Sequence, residues 1–145
     1  MRLAYFLSLF SILFLLTTCR GDQQDLAGNS GFSIVPTEYS GLTFTNTITE
    51  SDSFNYFTYP YLFLGGGIAV GDFDGDDRAD LFFTGNQVPN RLYRNAGNLR
   101  FEDMSEIAGV MAADYWCTGA TTLDINVDGH LDLYVCTAGN GAPTA

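Results

Sequence analysis

Short apolar runs separated by glycine and acidic residues dominate the chain from about residue 65 onward. Residues 68–70 (Ile-Ala-Val) and 81–84 (Leu-Phe-Phe-Thr) are rich in the β-branched, aromatic and aliphatic types that favour strands. Residues 90–103 contain two further strand patterns around the turn-forming sequence Asn-Ala-Gly-Asn. Four short strands in a repeat of roughly fifty residues are typical of a β-propeller blade.

A polar loop between the first two predicted strands returns 52 residues later. In both copies, short carboxylate or amide side chains occupy loop positions 1, 3, 5 and 9. These residues are Asp72, Asp74, Asp76 and Asp80 in the first loop, and Asp124, Asn126, Asp128 and Asp132 in the second. Oxygen-bearing side chains alternating in a tight loop can converge on Ca²⁺, which takes roughly six to eight oxygen ligands. We therefore predict a Ca²⁺ site in each loop.

Loop position 7 is Arg78 in the first copy and His130 in the second. We expect each of these residues to contribute its backbone carbonyl to the metal while its side chain points to water. Position 6 is Asp77 in one copy and Gly129 in the other, which predicts a positive φ there, because glycine adopts that region freely and Asp tolerates it better than most residues.

An EF-hand is the main alternative for an acidic loop of this kind. That motif requires a bidentate Glu at position 12 and a helix on each side. Position 12 is Phe83 in one copy and Val135 in the other, and the flanking residues favour strands. Each loop is therefore predicted to connect the two strands of a hairpin.

The N-terminus has the pattern of an export signal. Arg2 precedes a mostly apolar run over residues 3–16, which is too short to span a bilayer comfortably. The following Leu-Thr-Thr-Cys resembles a bacterial lipobox, with Thr18 departing from the usual Gly, Ala or Ser. We predict a lipoprotein signal peptide over residues 1–18, acylation of Cys19 and a flexible tether over residues 19–31, against the alternatives of a plain secreted protein or an uncleaved anchor.

The charge balance excludes one class of partner. Six basic residues stand against seventeen acidic ones, for a net charge of −11. Nucleic-acid binding requires a basic patch to neutralise phosphates, so nucleic acid is not an expected partner. Export to a bacterial outer membrane or cell surface, with the acyl chains as the membrane contact, is the localisation predicted.

Residues 32–64 are rich in Thr, Tyr and Phe, and we predict a strand-rich segment that packs on the first repeat. Residues 42–45 alternate as an edge strand does. Aromatic side chains recur at every second position further on, at Phe57, Tyr59, Tyr61 and Phe63. Two interpretations stay open for these rings: packing against the first repeat, or a platform for carbohydrate or peptide.

A short connecting turn and a pair of cysteines are two further features of the repeats. Ser105 and Gly109 are placed to begin and end a short helical turn between the repeats. Cys117 and Cys136 flank the second loop in a compartment that permits disulfides, but their register is offset. Two buried thiols are therefore favoured over a disulfide.

Together, the two loops, residues 90–95, residues 101–110 and the Trp-Cys-Thr-Gly of residues 116–119 resemble FG-GAP/VCBS repeats. More narrowly, they resemble bacterial proteins related to the cartilage acidic protein family. That resemblance implies an all-β, calcium-stabilised β-propeller, usually of about seven blades and often followed by an ASPIC-type domain. It places repeat 1 at residues 65–112 and a truncated repeat 2 at residues 113–145, so the chain is expected to be an N-terminal fragment with one complete four-stranded blade and half of a second.

The resemblance implies a ligand-binding or adhesion scaffold whose partner is an extracellular glycan or protein. Catalysis has little support, since the single histidine, His130, has no Ser, Cys or carboxylate pair placed to make it a base. The alternative is the propeller portion of an extracellular lyase or hydrolase whose catalytic residues lie outside this sequence.

Overall fold

The structure is a computed structural model, and it describes residues 31–138. The predicted signal peptide, Cys19 and the tether up to residue 30 lie outside the described residues, so those assignments stay predictions. The chain divides into two units, Met1–Ile34 and Val35–Ala145. The described part of the first unit, residues 31–34, contains no helix or strand. Within residues 31–138, no helix has the length and apolar character needed to cross a membrane.

The described part of the second unit contains six strands and two short helices. In chain order these are α1 (Thr37–Ser40), β1 (Ile68–Gly71), β2 (Asp80–Phe83), β3 (Arg91–Gly97), β4 (Arg100–Asp103), α2 (Ser105–Ala108), β5 (Cys117–Leu123) and β6 (Asp132–Thr137). Strands β1 to β4 form an antiparallel sheet in sequence order, and β5 and β6 form a separate antiparallel hairpin. The predicted all-β fold is confirmed as two sheets consistent with repeat blades, and the described residues form no closed propeller.

The small core of the described residues joins the middle of the four-stranded sheet to Leu62, before β1, and to Trp116 and Cys117 at the start of β5. Ala69 on β1 is opposite Phe82 on β2, and both side chains are buried together with Tyr93 of β3. Strand β1 also lies against β5. A Cβ atom at Gly67 would stand 2.7 Å from the Cα of Gly119, so this approach requires a residue without a side chain at position 67.

The segment before β1 contains no strand among residues 31–67, so the prediction of a strand-rich segment with an edge strand over residues 42–45 was wrong. The N–H of Thr43 donates to the Tyr93 hydroxyl at 3.3 Å instead of to a neighbouring strand. The segment nevertheless packs on the first sheet, with Phe44 stacked on Phe83 at a centroid distance of 5.2 Å. The alternation of residues 42–45 therefore arises because every second side chain faces the sheet, although the backbone forms no strand-to-strand hydrogen bonds.

The aromatic residues of this segment divide into two groups. Phe54 and Tyr59 each pack edge-on against Trp116, with centroids 5.6 Å apart, and thereby contact the second repeat. In contrast, Phe57 is 92% exposed, and Tyr61 and Phe63 are 63% and 62% exposed. Among the four rings predicted at period two, Tyr59 packs on Trp116, and Tyr61 contacts the Tyr59 ring edge-on at a centroid distance of 5.9 Å while staying largely exposed.

Both described cysteines are free thiols, as favoured, but only one of them is buried. Cys117 lies opposite Thr137, while Cys136 lies opposite Gly119, so the two side chains are out of register. Burial raises the pKa of the Cys117 thiol. Cys136 is exposed, which corrects the prediction of two buried thiols.

The helical turn α2 has the predicted end and a different beginning. Gly109 ends it in the left-handed conformation at φ 67°. Ser105 is not the capping residue, because Met104 occupies that position and the Ser105 hydroxyl instead accepts a hydrogen bond from the N–H of Leu92 at 2.9 Å. Ser105 therefore ties the turn to β3.

Candidate metal centre

The first loop, residues 72–80, joins β1 to β2, and the strand register brings its two ends together. Gly71 and Asp80 are paired residues, so Asp72 begins the loop directly beside the Asp80 that closes it. The second loop, residues 124–132, has the equivalent pairing of Leu123 with Asp132. Both loops are therefore hairpin connections, as the strand patterns on their flanks predict.

Asp72 organises the backbone of the first loop. Its Oδ1 accepts hydrogen bonds from the N–H groups of Gly75 at 2.8 Å and Asp76 at 3.1 Å. Its Oδ2 accepts a third from the N–H of Asp77 at 2.9 Å. These bonds wrap the chain around the first carboxylate of the loop and fix its orientation.

Asp80 closes the loop and connects it to the next strand. Its Oδ2 accepts a hydrogen bond from the N–H of Phe73 at 3.0 Å, and its Oδ1 accepts one from the N–H of Asn95 on β3 at 2.8 Å. The Asp80 residue is only 2% exposed. A buried carboxylate with both oxygens bonded is held rigidly, which favours a preformed site.

Three carboxylates converge in this loop. One oxygen each from Asp72, Asp74 and Asp80 lies within 4.8 Å of the others, and this is the one such group of three or more potential metal-binding side chains within residues 31–138. Carboxylate oxygens are the ligands that Ca²⁺ prefers. The donor set therefore fits that cation.

The fourth predicted carboxylate, Asp76, does not join this group. Its Oδ2 forms an ion pair with Nη2 of Arg78, and its Oδ1 accepts a hydrogen bond from the N–H of Arg78 at 2.9 Å. Nε of Arg78 also donates to the carbonyl oxygen of Asn95 at 2.7 Å. The Arg78 side chain was expected to point to water. Its guanidinium instead turns back onto the loop and pairs with Asp76.

Asp72 and Asp74 differ in acidity. Desolvation raises the pKa of Asp72, but the N–H groups of Asp77, Asp76 and Gly75 stabilise its anion enough to place the pKa below its usual value. The pKa of Asp74 is raised, by desolvation first and then by the negative charges of neighbouring carboxylates. A cation among these groups would offset that mutual repulsion.

The second loop repeats much of this geometry. Asp124 accepts hydrogen bonds from the N–H groups of Asp128 at 3.0 Å and Gly129 at 2.8 Å. Oδ2 of Asp132 accepts one from the N–H of Ile125 at 3.0 Å, which matches the Asp80 to Phe73 bond. The trio equivalent to that of the first loop contains an amide, Asn126, in place of one carboxylate.

Position 5 of the second loop is held by a different partner. Nδ2 of Asn126 donates to Oδ2 of Asp128 at 2.9 Å, and the N–H of His130 donates to Oδ1 of Asp128 at 2.9 Å. The His130 hydrogen bond first, and the Asn126 bond second, lower the pKa of Asp128. The His130 residue is exposed, as expected for its position.

Two backbone positions in each loop have positive φ. Position 6 does so at Asp77 (65°) and Gly129 (88°), which confirms the sequence prediction. Position 4 does so as well, at Gly75 (77°) and Val127 (60°). The sequence reasoning missed position 4, although Gly75 was a signal for it. A β-branched residue in this conformation is strained.

Sequence reasoning also missed Asn95. Its N–H binds Asp80, its side-chain amide donates to the carbonyl of Ala79 at 2.9 Å, and its carbonyl accepts from Arg78. The residue was assigned to a turn, and it lies in β3, where it pairs with Phe101 beside a register shift. No local pattern marks a residue that supports a loop fifteen positions earlier.

Comparison with known proteins agrees with this repeat geometry. A family model described as an FG-GAP-like repeat matches residues 72–135, a span that begins at the first loop and ends in β6. No curated protein and no solved structure gives a significant match. The chain therefore contains an FG-GAP-like repeat, and this indicates a β-propeller-type repeat region.

Proposed function

We propose that residues 65–138 are a calcium-stabilised part of a β-propeller-type scaffold on an exported, lipid-anchored bacterial surface protein. The observation that carries the calcium assignment is the group of three carboxylates, Asp72, Asp74 and Asp80, within 4.8 Å of one another. Like charges at this separation repel, so a divalent cation would stabilise the hairpin. FG-GAP repeats often bind calcium, which supports the same assignment.

Calcium titration of the full chain tests this proposal. Isothermal titration calorimetry is expected to show binding of Ca²⁺ in preference to Mg²⁺, with the second loop weaker because Asn126 supplies one less negative charge. Asp74→Asn removes a charge from an exposed ligand and should weaken the tighter site by roughly tenfold or more, about 1.4 kcal/mol.

The matched control for Asp74→Asn is Asp114→Asn, which removes an exposed charge outside both loops. The control variant should bind Ca²⁺ like the wild-type chain. Unchanged affinity in Asp74→Asn would place the ion elsewhere, and absence of any Ca²⁺ binding by the wild-type chain would refute the metal assignment.

The membrane part of the proposal depends on Cys19. Acyl chains contribute about 0.8 kcal/mol per buried methylene, so their loss should release the protein from the membrane. Cys19→Ala should therefore abolish radioactive palmitate incorporation in cells and move the protein to the soluble fraction, whereas Cys136→Ala, which removes an exposed thiol, should do neither. Persistent label on Cys19→Ala would refute the lipobox interpretation.

A scaffold role has support from the surface before β1. The exposed rings of Tyr56, Phe57, Tyr61 and Phe63 lie close together in sequence, and exposed aromatic side chains are typical of sites that bind glycans or peptides. We propose a non-catalytic role for these repeats. Should the complete protein be a lyase or hydrolase, its catalytic groups belong to another region.

A further inference from the structure

Arg78 is the one cationic side chain within residues 31–138 that forms an ion pair with a carboxylate of either loop. Its guanidinium pairs with Asp76 through Nη2 and is anchored to Asn95 through Nε at 2.7 Å. Both Asp76 oxygens are thereby occupied, one by this ion pair and one by the Arg78 N–H at 2.9 Å. Among the four carboxylates predicted as ligands in the first loop, Asp76 is the one that stands apart from the group formed by Asp72, Asp74 and Asp80.

The second loop provides an internal comparison. His130 replaces Arg78, and only its backbone N–H bonds to the position 5 carboxylate. The second oxygen of that carboxylate, Asp128, is held by the neutral amide of Asn126. A neutral partner competes less strongly with a cation for a carboxylate than a guanidinium does.

We propose that Arg78 is an internal counter-cation that holds Asp76 away from the metal position and thereby sets the calcium affinity of the first loop. Binding of Ca²⁺ by Asp76 then exchanges the Arg78–Asp76 ion pair for a metal–carboxylate contact. The Arg78 side chain is 48% exposed, so its guanidinium has room to move into water when the ion pair opens. This inference rests on the proposed calcium binding and identifies a residue that regulates it.

The size of the effect follows from the exposure of the pair. Exposed ion pairs are weak, so removing Arg78 should raise the Ca²⁺ affinity of the first loop by between about twofold and fivefold. Loss of a nearby positive charge would also raise affinity through space alone. The two causes are separated by whether the gain requires the Asp76 carboxylate.

A double-mutant cycle on the full chain makes that separation. Calcium affinities are measured by calorimetry for the wild type, Arg78→Gln, Asp76→Asn and the double variant. Arg78→Gln should raise affinity in the wild-type background and have little effect when Asp76 is already Asn. An equal gain in both backgrounds, or no gain at all, would overturn the proposal.

Arg94→Gln is the matched control. Arg94 also acts on Asp74 and Asp76 through its charge, but its hydrogen-bonded partner is Glu102 rather than a loop carboxylate. This variant removes a nearby positive charge without breaking an ion pair to a loop carboxylate, and it should change affinity less than Arg78→Gln does. An Arg94→Gln gain as large as that of Arg78→Gln would also count against the proposal.

A second readout does not depend on affinity. The Nε–H resonance of Arg78 should shift and broaden as Ca²⁺ is added, because its ion pair opens, while that of Arg94 should stay nearly constant. Calcium binding without any change at Arg78 would overturn the inference and leave the metal assignment intact. Absence of calcium binding in the wild type would overturn both.

Discussion

The two acidic loops can be compared directly, because they share a backbone conformation and differ in the strands that surround them. Both begin with an Asp that accepts N–H groups from later loop residues, and both end with an Asp that bonds back to position 2 at 3.0 Å. The first loop ends on β2, which is hydrogen-bonded to β3 as well as to β1, whereas β6, on which the second loop ends, is hydrogen-bonded to β5 alone among the described strands. The loop sequence therefore determines local geometry, while the adjoining strand determines how firmly that geometry is held.

The largest contrast between the loops should come from their closing residues. Asp80→Ala leaves the N–H groups of Phe73 and Asn95 without their acceptor, whereas Asp132→Ala affects the N–H of Ile125 in the loop. A part-buried donor left unbonded costs about 1 to 3 kcal/mol, whereas the exposed N–H of Ile125 can bond to water instead. We expect Asp80→Ala to lower the free energy of unfolding by about 3 kcal/mol and Asp132→Ala by about 1 kcal/mol.

Urea denaturation in the presence of a chelator measures this contrast without a contribution from metal. Amide hydrogen exchange provides the local control, since protection of the Asn95 N–H should collapse in Asp80→Ala and persist in Asp132→Ala. Equal losses of stability in the two variants would show that the link from Asp80 to β3 contributes nothing.

The role of Asp80 also shows where sequence reasoning succeeds and where it stops. The hairpin loops, the first four-stranded sheet and the left-handed Gly109 follow from local patterns, because turn chemistry and strand propensity act over a few residues. The bond from Asp80 to Asn95 depends on the register between β2 and β3, which no local pattern specifies. The sequence therefore predicts that Asp80 closes the loop, but it does not predict that Asp80 also binds β3.

The segment before β1 shows the opposite failure. Alternating residues 42–45 predicted a strand, and the side chains do alternate between partly buried and exposed positions. What the pattern could not reveal is that the Thr43 N–H bonds to the Tyr93 hydroxyl, so no ladder forms. Period-two polarity reports which side of a segment is covered, and it does not report what satisfies the backbone.

The contrast at position 4 should be smaller and can be tested by exchange of residues. Gly75→Val places a β-branched residue at φ 77° with no atom within 4 Å of its Cβ, so its cost is backbone strain, about 1 to 2 kcal/mol. Val127→Gly removes the corresponding strain at φ 60°, and the greater freedom of glycine in the unfolded chain offsets part of the gain. We expect a net stabilisation below about 1 kcal/mol.

Thermal unfolding of both variants in chelator measures these opposite changes. Gly31→Val is a suitable control for the general effect of adding Val, because its Cβ would also meet no atom within 4 Å and its φ is outside the left-handed range. Shifts of the same sign for Gly75→Val and Val127→Gly would contradict the strain argument.

The smallest and most specific effect is expected from Asn126→Asp, which gives the second loop the carboxylate that the first has at position 3. Without metal, this change replaces the Asn126 hydrogen bond to Asp128 by a repulsion between two exposed carboxylates, so stability should fall slightly. With Ca²⁺, the added charge should raise the affinity of the second loop by a few-fold.

Asn98→Asp, an exposed substitution outside both loops at φ 53°, controls for the change in net charge. The discriminating result is therefore a reversal: Asn126→Asp should melt below the wild type in chelator and above it in saturating Ca²⁺, while Asn98→Asp keeps the same rank in both. A melting temperature that falls equally in both conditions would mean that position 3 of the second loop does not contact the ion.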